Sequence, residues 1–137
     1  MLWFYTYPDE CRYGTGAPVP DGAAGRAGSA ALRGRGISYQ HRRDLAPTTA
    51  LRHLQYAADA REGVGKRSRV TFAPEYVASY LRDVLDHVDV SAFARSLPRD
   101  SATALLCVER DAPACHRSLI ARRLAEELGA RVSHLAP

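Results

Sequence analysis

At 137 residues the chain has room for one domain, and 46% hydrophobic with 25% charged content is ordinary for a soluble globular protein. A net charge of +4 and a pI near 9.2 suit an anionic partner without requiring one. Three cysteines (Cys11, Cys107, Cys115) are too few for a disulfide framework, and no run approaches the length of a membrane span; a cytoplasmic protein that does not enter the membrane is expected.

The opening Trp3, Phe4, Tyr5 and Tyr7 are apolar, but the segment is short, lacks a basic region before it and meets Pro8 and Asp9 too early for a signal peptide. It reads either as a docked strand or as an irregular surface segment. Residues 14–36 hold seven of the ten glycines together with Pro18 and Pro20, a composition that buries little and interrupts regular structure. Residues 1–35 are therefore expected to be an irregular Gly/Ala/Pro-rich lead-in, and residues 36–137 the folded domain.

From Gly36 onward the pattern is firmer. Ile37-Ser38-Tyr39-Gln40-His41 alternates like a strand. Residues 49–61 predict a helix with Leu51, Leu54 and Ala58 on one side, capped by Thr48 or Thr49 and stopped by Gly63. Pro74 starts another, in which Val77, Tyr80, Leu81, Val84, Leu85 and Val88 form one apolar stripe. Ser91 is expected to cap a short helix that Pro98 closes. Residues 102–108 read as a strand, 113–128 as a helix ending at Gly129, and 131–135 as a last strand.

A strand–helix–strand order over residues 102–135 is the βαβ pattern, which favours parallel strands joined by a right-handed crossover. The expected fold is α/β, a small mainly parallel sheet flanked by helices in a Rossmann-like three-layer arrangement. Ligands of such sheets sit at the carboxyl ends of the strands, beside helix N-termini. The stretch Cys107-Val108-Glu109-Arg110-Asp111-Ala112-Pro113-Ala114-Cys115-His116-Arg117 falls at that edge.

Helix N-termini expose unpaired N–H groups and the positive end of the macrodipole, so they attract anions and lower thiol pKa values. Arg117 is thus a candidate anion holder, Cys115 a candidate thiolate and His116 a candidate proton carrier, with Glu109 and Cys107 lining the pocket. The plainer alternative makes Cys115 and Cys107 small core residues, His116 a capping donor and Arg117 a partner of Glu109 or Asp111. The spacing does not fit the phosphatase loop, in which a cysteine and an arginine bracket five residues. Cys107, Cys115 and His116 are suitable metal ligands, with His41 or His134 to complete four, but their spacing matches none of the usual paired-ligand motifs. Adjacent residues on a helix also point in different directions. No metal and no cofactor are expected.

A second constellation is basic. Between Arg33 and Arg69 stand nine basic residues against three acids. Lys66 is the only lysine of the chain, and its arginine excess suits phosphate as well as it suits a GC-rich coding bias. The tract Gly63-Val64-Gly65-Lys66-Arg67-Ser68-Arg69 is not a Walker loop. That motif needs glycine where Ala60 stands, Ser or Thr where Arg67 stands, and a strand in front. Lys66, Arg67 and Arg69 could close over an anion, or simply form a solvated loop.

Cys107-x-Glu109-x-x-x-Pro113-x-Cys115-His116-Arg117, followed by Ala121 and Leu124, resembles the signature of the bacterial family called domain of unknown function 488. The resemblance extends through Gly36-Ile37-Ser38-Tyr39, Leu45-Ala46-Pro47-Thr48, residues 63–69 and Pro74-Glu75-Tyr76. It implies a small α/β domain with a mainly parallel sheet and no agreed enzymatic activity. Family members usually begin with a strand and then an apolar strand ending in an Asp-x-Arg turn, and neither is recognisable here. Either the N-terminal part is truncated or replaced, or its equivalent has diverged.

The leading expectation is a protein that binds an anionic, phosphorylated ligand at the Cys115-His116-Arg117 helix start. A cysteine-dependent enzyme with Cys115 as nucleophile and a nucleic-acid-binding accessory domain using residues 33–69 are the alternatives. An open sheet edge left by a missing strand would favour a homodimer.

Overall fold

The computed structural model describes residues 3–8, 32, 34–65, 68–99, 101–107, 109 and 111–135. It is a mixture of helix and strand. Three strands, β1 (Trp3–Pro8), β2 (Ser38–His41) and β3 (Ser101–Leu106), form one sheet in the order β2-β1-β3. Four helices follow the strands in sequence or intervene between them: α1 (Thr49–Glu62), α2 (Pro74–Asp83), α3 (Val90–Ser96) and α4 (His116–Leu128). Among the described residues, no helix is long and apolar enough to cross a membrane.

The opening segment is a strand, and it takes the centre of the sheet. Aromatic and β-branched residues favour the extended conformation, and Pro8, which cannot donate to a ladder, ends the run. Both ladders are antiparallel, with Tyr5 opposite Tyr39 on one side and Ala104 on the other. This corrects the mainly parallel sheet expected from the βαβ pattern. β3 pairs with β1 on one side and is an edge strand of the described sheet, with no parallel partner among the described residues. Residues 131–135 are exposed and adopt no strand, so α4 is not a crossover between two described strands. The four helices all contribute to one core. The stretch 9–31, where the family's Asp-x-Arg turn would be sought, lies outside them.

The helices start and stop largely for the reasons legible in the sequence. Thr48 caps α1, its Oγ1 accepting from the Leu51 N–H at 3.2 Å, and Gly63 closes it at φ 66°, where a side chain would be strained. Gly129 closes α4 in the same way at φ 60°. Pro74 opens α2, but the helix ends at Asp83 and tightens into a 3-10 turn over Leu85–His87. The apolar stripe nevertheless continues, since Val84 and Leu85 are buried in the core and Val88 packs against it. Ser91 does not cap α3. Asp89, two residues earlier, accepts from the Ala92 N–H at 2.7 Å, and the Ser91 hydroxyl donates to Glu127 of α4 instead.

The core joins Leu45, Leu51, Phe72, Tyr76, Tyr80, Leu85, Phe93, Ile120 and Leu124. Through its middle runs a file of rings. Phe72 stacks on Tyr76 at 4.2 Å, Tyr76 on Tyr80 at 6.0 Å, and Tyr80 meets the His116 ring at 5.7 Å. The Tyr80 hydroxyl donates to the Leu45 carbonyl at 2.7 Å, which satisfies the polar end of a fully buried ring.

Strand alternation decides which way β3 faces. Ala104 and Leu106 pack with Ile37, Tyr39 and Leu32 in a small separate cluster, whereas Leu105 and Cys107 belong to the helix-side core. The period of two therefore aims Cys107 at the helices.

Candidate functional site

β3 runs out at Leu106, and Cys107 is the next residue. The chain then turns through Glu109 and a 3-10 turn (Ala112–Ala114) that Pro113 helps to start, and Cys115 and His116 open α4. Glu109 meets Cys107 just beyond the strand, and the turn returns the chain to it.

Four of the residues singled out in the sequence meet here. Cys107, Glu109, Cys115 and His116 each offer a ligand atom, and all four atoms lie within 4.8 Å of one another. The Cys107 thiol donates to Glu109 Oε2 at 2.6 Å and lies 3.9 Å from His116 Nδ1. Cys115 Sγ is 3.9 Å from the same carboxylate oxygen. Cys115 is fully buried, His116 is 4% exposed and Cys107 8%, while Glu109 is half-buried.

The helix-direction argument against Cys115 and His116 acting together fails for a local reason. Cys115 is the N-cap, with φ −128° and ψ 131°, so its side chain does not follow the helical progression. An extended residue followed by the first helical residue can present both side chains to one point.

Electrostatics separates the two thiols. The Cys107 S–H, the Arg117 backbone amide and the Arg117 charge pull the Cys115 thiol below its ordinary pKa, against burial and the Glu109 carboxylate. Cys107 is pushed well up, first by its hydrogen bond to Cys115 and then by burial. Cys107 has one proton and two acceptors, the Cys115 sulfur and Glu109. Cys115 is the group that ionises first. Arg117, half-buried at the second residue of α4, is the cation whose charge acts on the Cys115 sulfur.

Tyr76 and Tyr80 form a wall of the site that the sequence motifs do not reveal. Burial raises the Tyr76 hydroxyl pKa most, with the charges of Glu109 and Cys115 adding to it. Tyr80 is raised by burial, then by Tyr76 and the two cysteines. Tyrosine at helical spacing reads as packing, and nothing in the sequence ties these rings to a turn thirty residues away. The file of rings is also what holds the His116 imidazole in place.

The basic residues fare differently. Arg69 is buried and turned onto α1, where its Nε donates to Asp59 Oδ1 at 3.0 Å and its guanidinium spans both carboxylate oxygens. Gln55 completes this network, donating to Asp59 at 2.7 Å and accepting from the Ala73 N–H at 3.0 Å. Arg69 therefore pins the loop after α1 rather than closing over an anion. Lys66 and Arg67 lie outside the described residues. His134 is exposed and away from the cluster, and Glu109 takes the fourth place considered for it or for His41, whose side chain is not described.

Two thiols, an imidazole and a carboxylate gathered where a strand hands over to a helix define a small mixed helix-and-strand protein with a buried polar site. The chain belongs to the family described as Domain of unknown function DUF488, whose family model matches residues 19–124, a span that contains the whole cluster. No curated protein and no solved structure matches the chain.

Proposed function

We propose that this protein binds a small anionic molecule, phosphorylated ones first among them, at the start of α4. Arg117 is the cation that holds it, and Cys115, His116 and Glu109 line the place. The observation that carries this reading is the convergence of Cys115, His116 and Glu109 at the start of α4, where the Cys115 sulfur is biased toward its thiolate. Burial and the neighbouring carboxylate both oppose negative charge at this sulfur, and the Cys107 donor with the Arg117 amide and guanidinium outweigh them. The start of α4 thus favours negative charge, as helix N-termini do.

Thermal-shift measurements with inorganic phosphate and phosphorylated small molecules test it. Arg117→Ala removes a charge-assisted contact worth about 1.5–3 kcal/mol and is expected to abolish the anion-dependent rise in Tm. An equal rise in the variant overturns the role of Arg117.

The same bias favours a second reading, a cysteine-dependent enzyme with Cys115 as nucleophile and His116 as proton carrier. Because Cys115 is 0% exposed, this reading requires the site to open before a substrate reaches the sulfur. Alkylation of Cys115 no faster than that of a free thiol, measured against Cys115→Ser, rules it out. Nucleic-acid binding by residues 33–69 draws less support than the charge count promises. Arg42 is paired with Asp44 and lies over the Phe93 ring, Arg61 is paired with Glu75, and Arg69 is buried on Asp59.

A further inference from the structure

We propose that Cys107, Glu109, Cys115 and His116 form a binding site for a single divalent transition-metal ion of the zinc class. This inference goes beyond the anion-binding reading and does not depend on it.

The donor set is the first argument. Two thiol sulfurs, an imidazole nitrogen and a carboxylate oxygen are the ligands that borderline-soft divalent ions take in tetrahedral sites, and oxygen-seeking magnesium or calcium do not use thiolates. The spacing of the atoms is the second. Metal–ligand bonds of about 2.0–2.3 Å put tetrahedral ligands roughly 3.3–3.8 Å apart. The cluster already has 3.9 Å from Cys107 Sγ to His116 Nδ1 and 3.9 Å from Cys115 Sγ to Glu109 Oε2. The 2.6 Å contact of Cys107 with Glu109, held by the very proton that a metal displaces, must lengthen, and the widest pairs, all within 4.8 Å, must close.

Two further observations point to a ligand rather than to a self-contained polar network. His116 is 4% exposed and turns Nδ1 toward the cluster in a long contact, 3.9 Å from Cys107 Sγ, while its Nε2 is buried with no hydrogen-bond partner. With the proton on Nε2, the Nδ1 lone pair faces the sulfur and carboxylate atoms, in the tautomer a metal needs. The Cys107 proton, moreover, serves two acceptors that would otherwise face each other as like charges, Glu109 and the Cys115 sulfur. A dication relieves that repulsion without any change of fold.

The proton balance is explicit. Cys115 binds as the thiolate, giving up to solvent whatever proton it carries. Cys107 gives up its S–H proton to solvent as the metal–sulfur bond forms, and Glu109 and neutral His116 bind without losing one. Binding is therefore accompanied by net release of the Cys107 proton, plus that of whatever Cys115 fraction is still protonated, and tightens as pH rises.

The test uses the full-length reduced chain, stripped with chelator and titrated with cobalt(II) and then zinc(II) alone. One equivalent of cobalt per chain, with thiolate-to-cobalt charge-transfer absorption and the intense visible bands of tetrahedral coordination, is the expected result, and zinc should bleach both. Cys115→Ser and, separately, Glu109→Gln should each weaken binding by more than the roughly 10–100-fold that an outer-shell change costs. Cys11→Ser should leave the titration unchanged, and circular dichroism checks that each variant is folded. No charge-transfer band in the reduced wild-type chain overturns the site, and so does a band that survives Cys115→Ser unaltered. Phosphate-dependent thermal shifts on the stripped protein are read separately, so that failure of the metal site and failure of the anion reading are distinguishable.

Discussion

The Cys107 sulfur and the Glu109 carboxylate, two positions apart, touch at 2.6 Å where the chain leaves β3 and turns toward α4. The Cys107 proton also serves the Cys115 sulfur, and that hydrogen bond, with burial, keeps Cys107 protonated and lets Cys115, delivered from the far side of a tight turn, carry the negative charge. A thiol pair with unequal acidities follows from this arrangement, and it can be measured.

The titration of Cys115 should reveal that inequality. Its thiolate absorbance is expected to appear below the ordinary thiol range, and Cys107→Ala should move it upward by removing the leading cause of the shift. A folded pKa below the unfolded one makes Cys115 stabilising above the ordinary thiol pKa of about 8.5. That contribution disappears as pH falls through the folded value. A Cys115 titration unmoved by Cys107→Ala would show that the Cys107 S–H is not the donor.

Asp59 and Arg69 form a buried ion pair, each 7% exposed, and breaking it should be severe. Asp59→Asn leaves the Arg69 guanidinium without its countercharge, a change that costs about 3–5 kcal/mol when the partner stays buried. Urea denaturation is the measurement. Arg69, ahead of Gln55, holds the Asp59 carboxyl below its ordinary value. The pair is therefore fully stabilising above the usual aspartate pKa of about 3.9 and fails as pH falls through the depressed one. The acid limb of the stability profile should be shallower in the variant.

Tyr80→Phe isolates a single hydrogen bond. The ring stays, and the Leu45 carbonyl loses its 2.7 Å donor. A cost of about 1–3 kcal/mol is expected, seen as a lower Tm, with little change in the near-ultraviolet signal of the remaining aromatic file.

The start of α3 distinguishes two caps. Asp89→Ala should cost about 1 kcal/mol, because the side chain satisfies the Ala92 amide, whereas Ser91→Ala should cost clearly less. Its hydroxyl bonds only an exposed Glu127. Equal costs in chemical denaturation would mean that the helix begins at Ser91 after all.

Helix ends were the most legible part of this chain. Thr48, Gly63, Pro74 and Gly129 act through local backbone rules, and each lies where those rules put it. The Cys107–Arg117 stretch was legible as a strand-to-helix turn for the same reason. The direction of the sheet was not, because a strand after a helix looks the same in sequence whether its neighbour is parallel or comes from a distant segment such as Trp3–Pro8. Arg69 was misplaced because its partner Asp59 lies ten residues back on a helix, beyond any local pattern.

The sequence by itself determined the residue types of the site and the turn that carries them, since capping, periodicity and turn chemistry act within a few residues. Only the tertiary structure decided that Cys107, Glu109, Cys115 and His116 converge, and that the Tyr76–Tyr80 file walls them in. Convergence depends on the extended backbone of Cys115 and on which face of β3 the helices cover, and both are settled by packing.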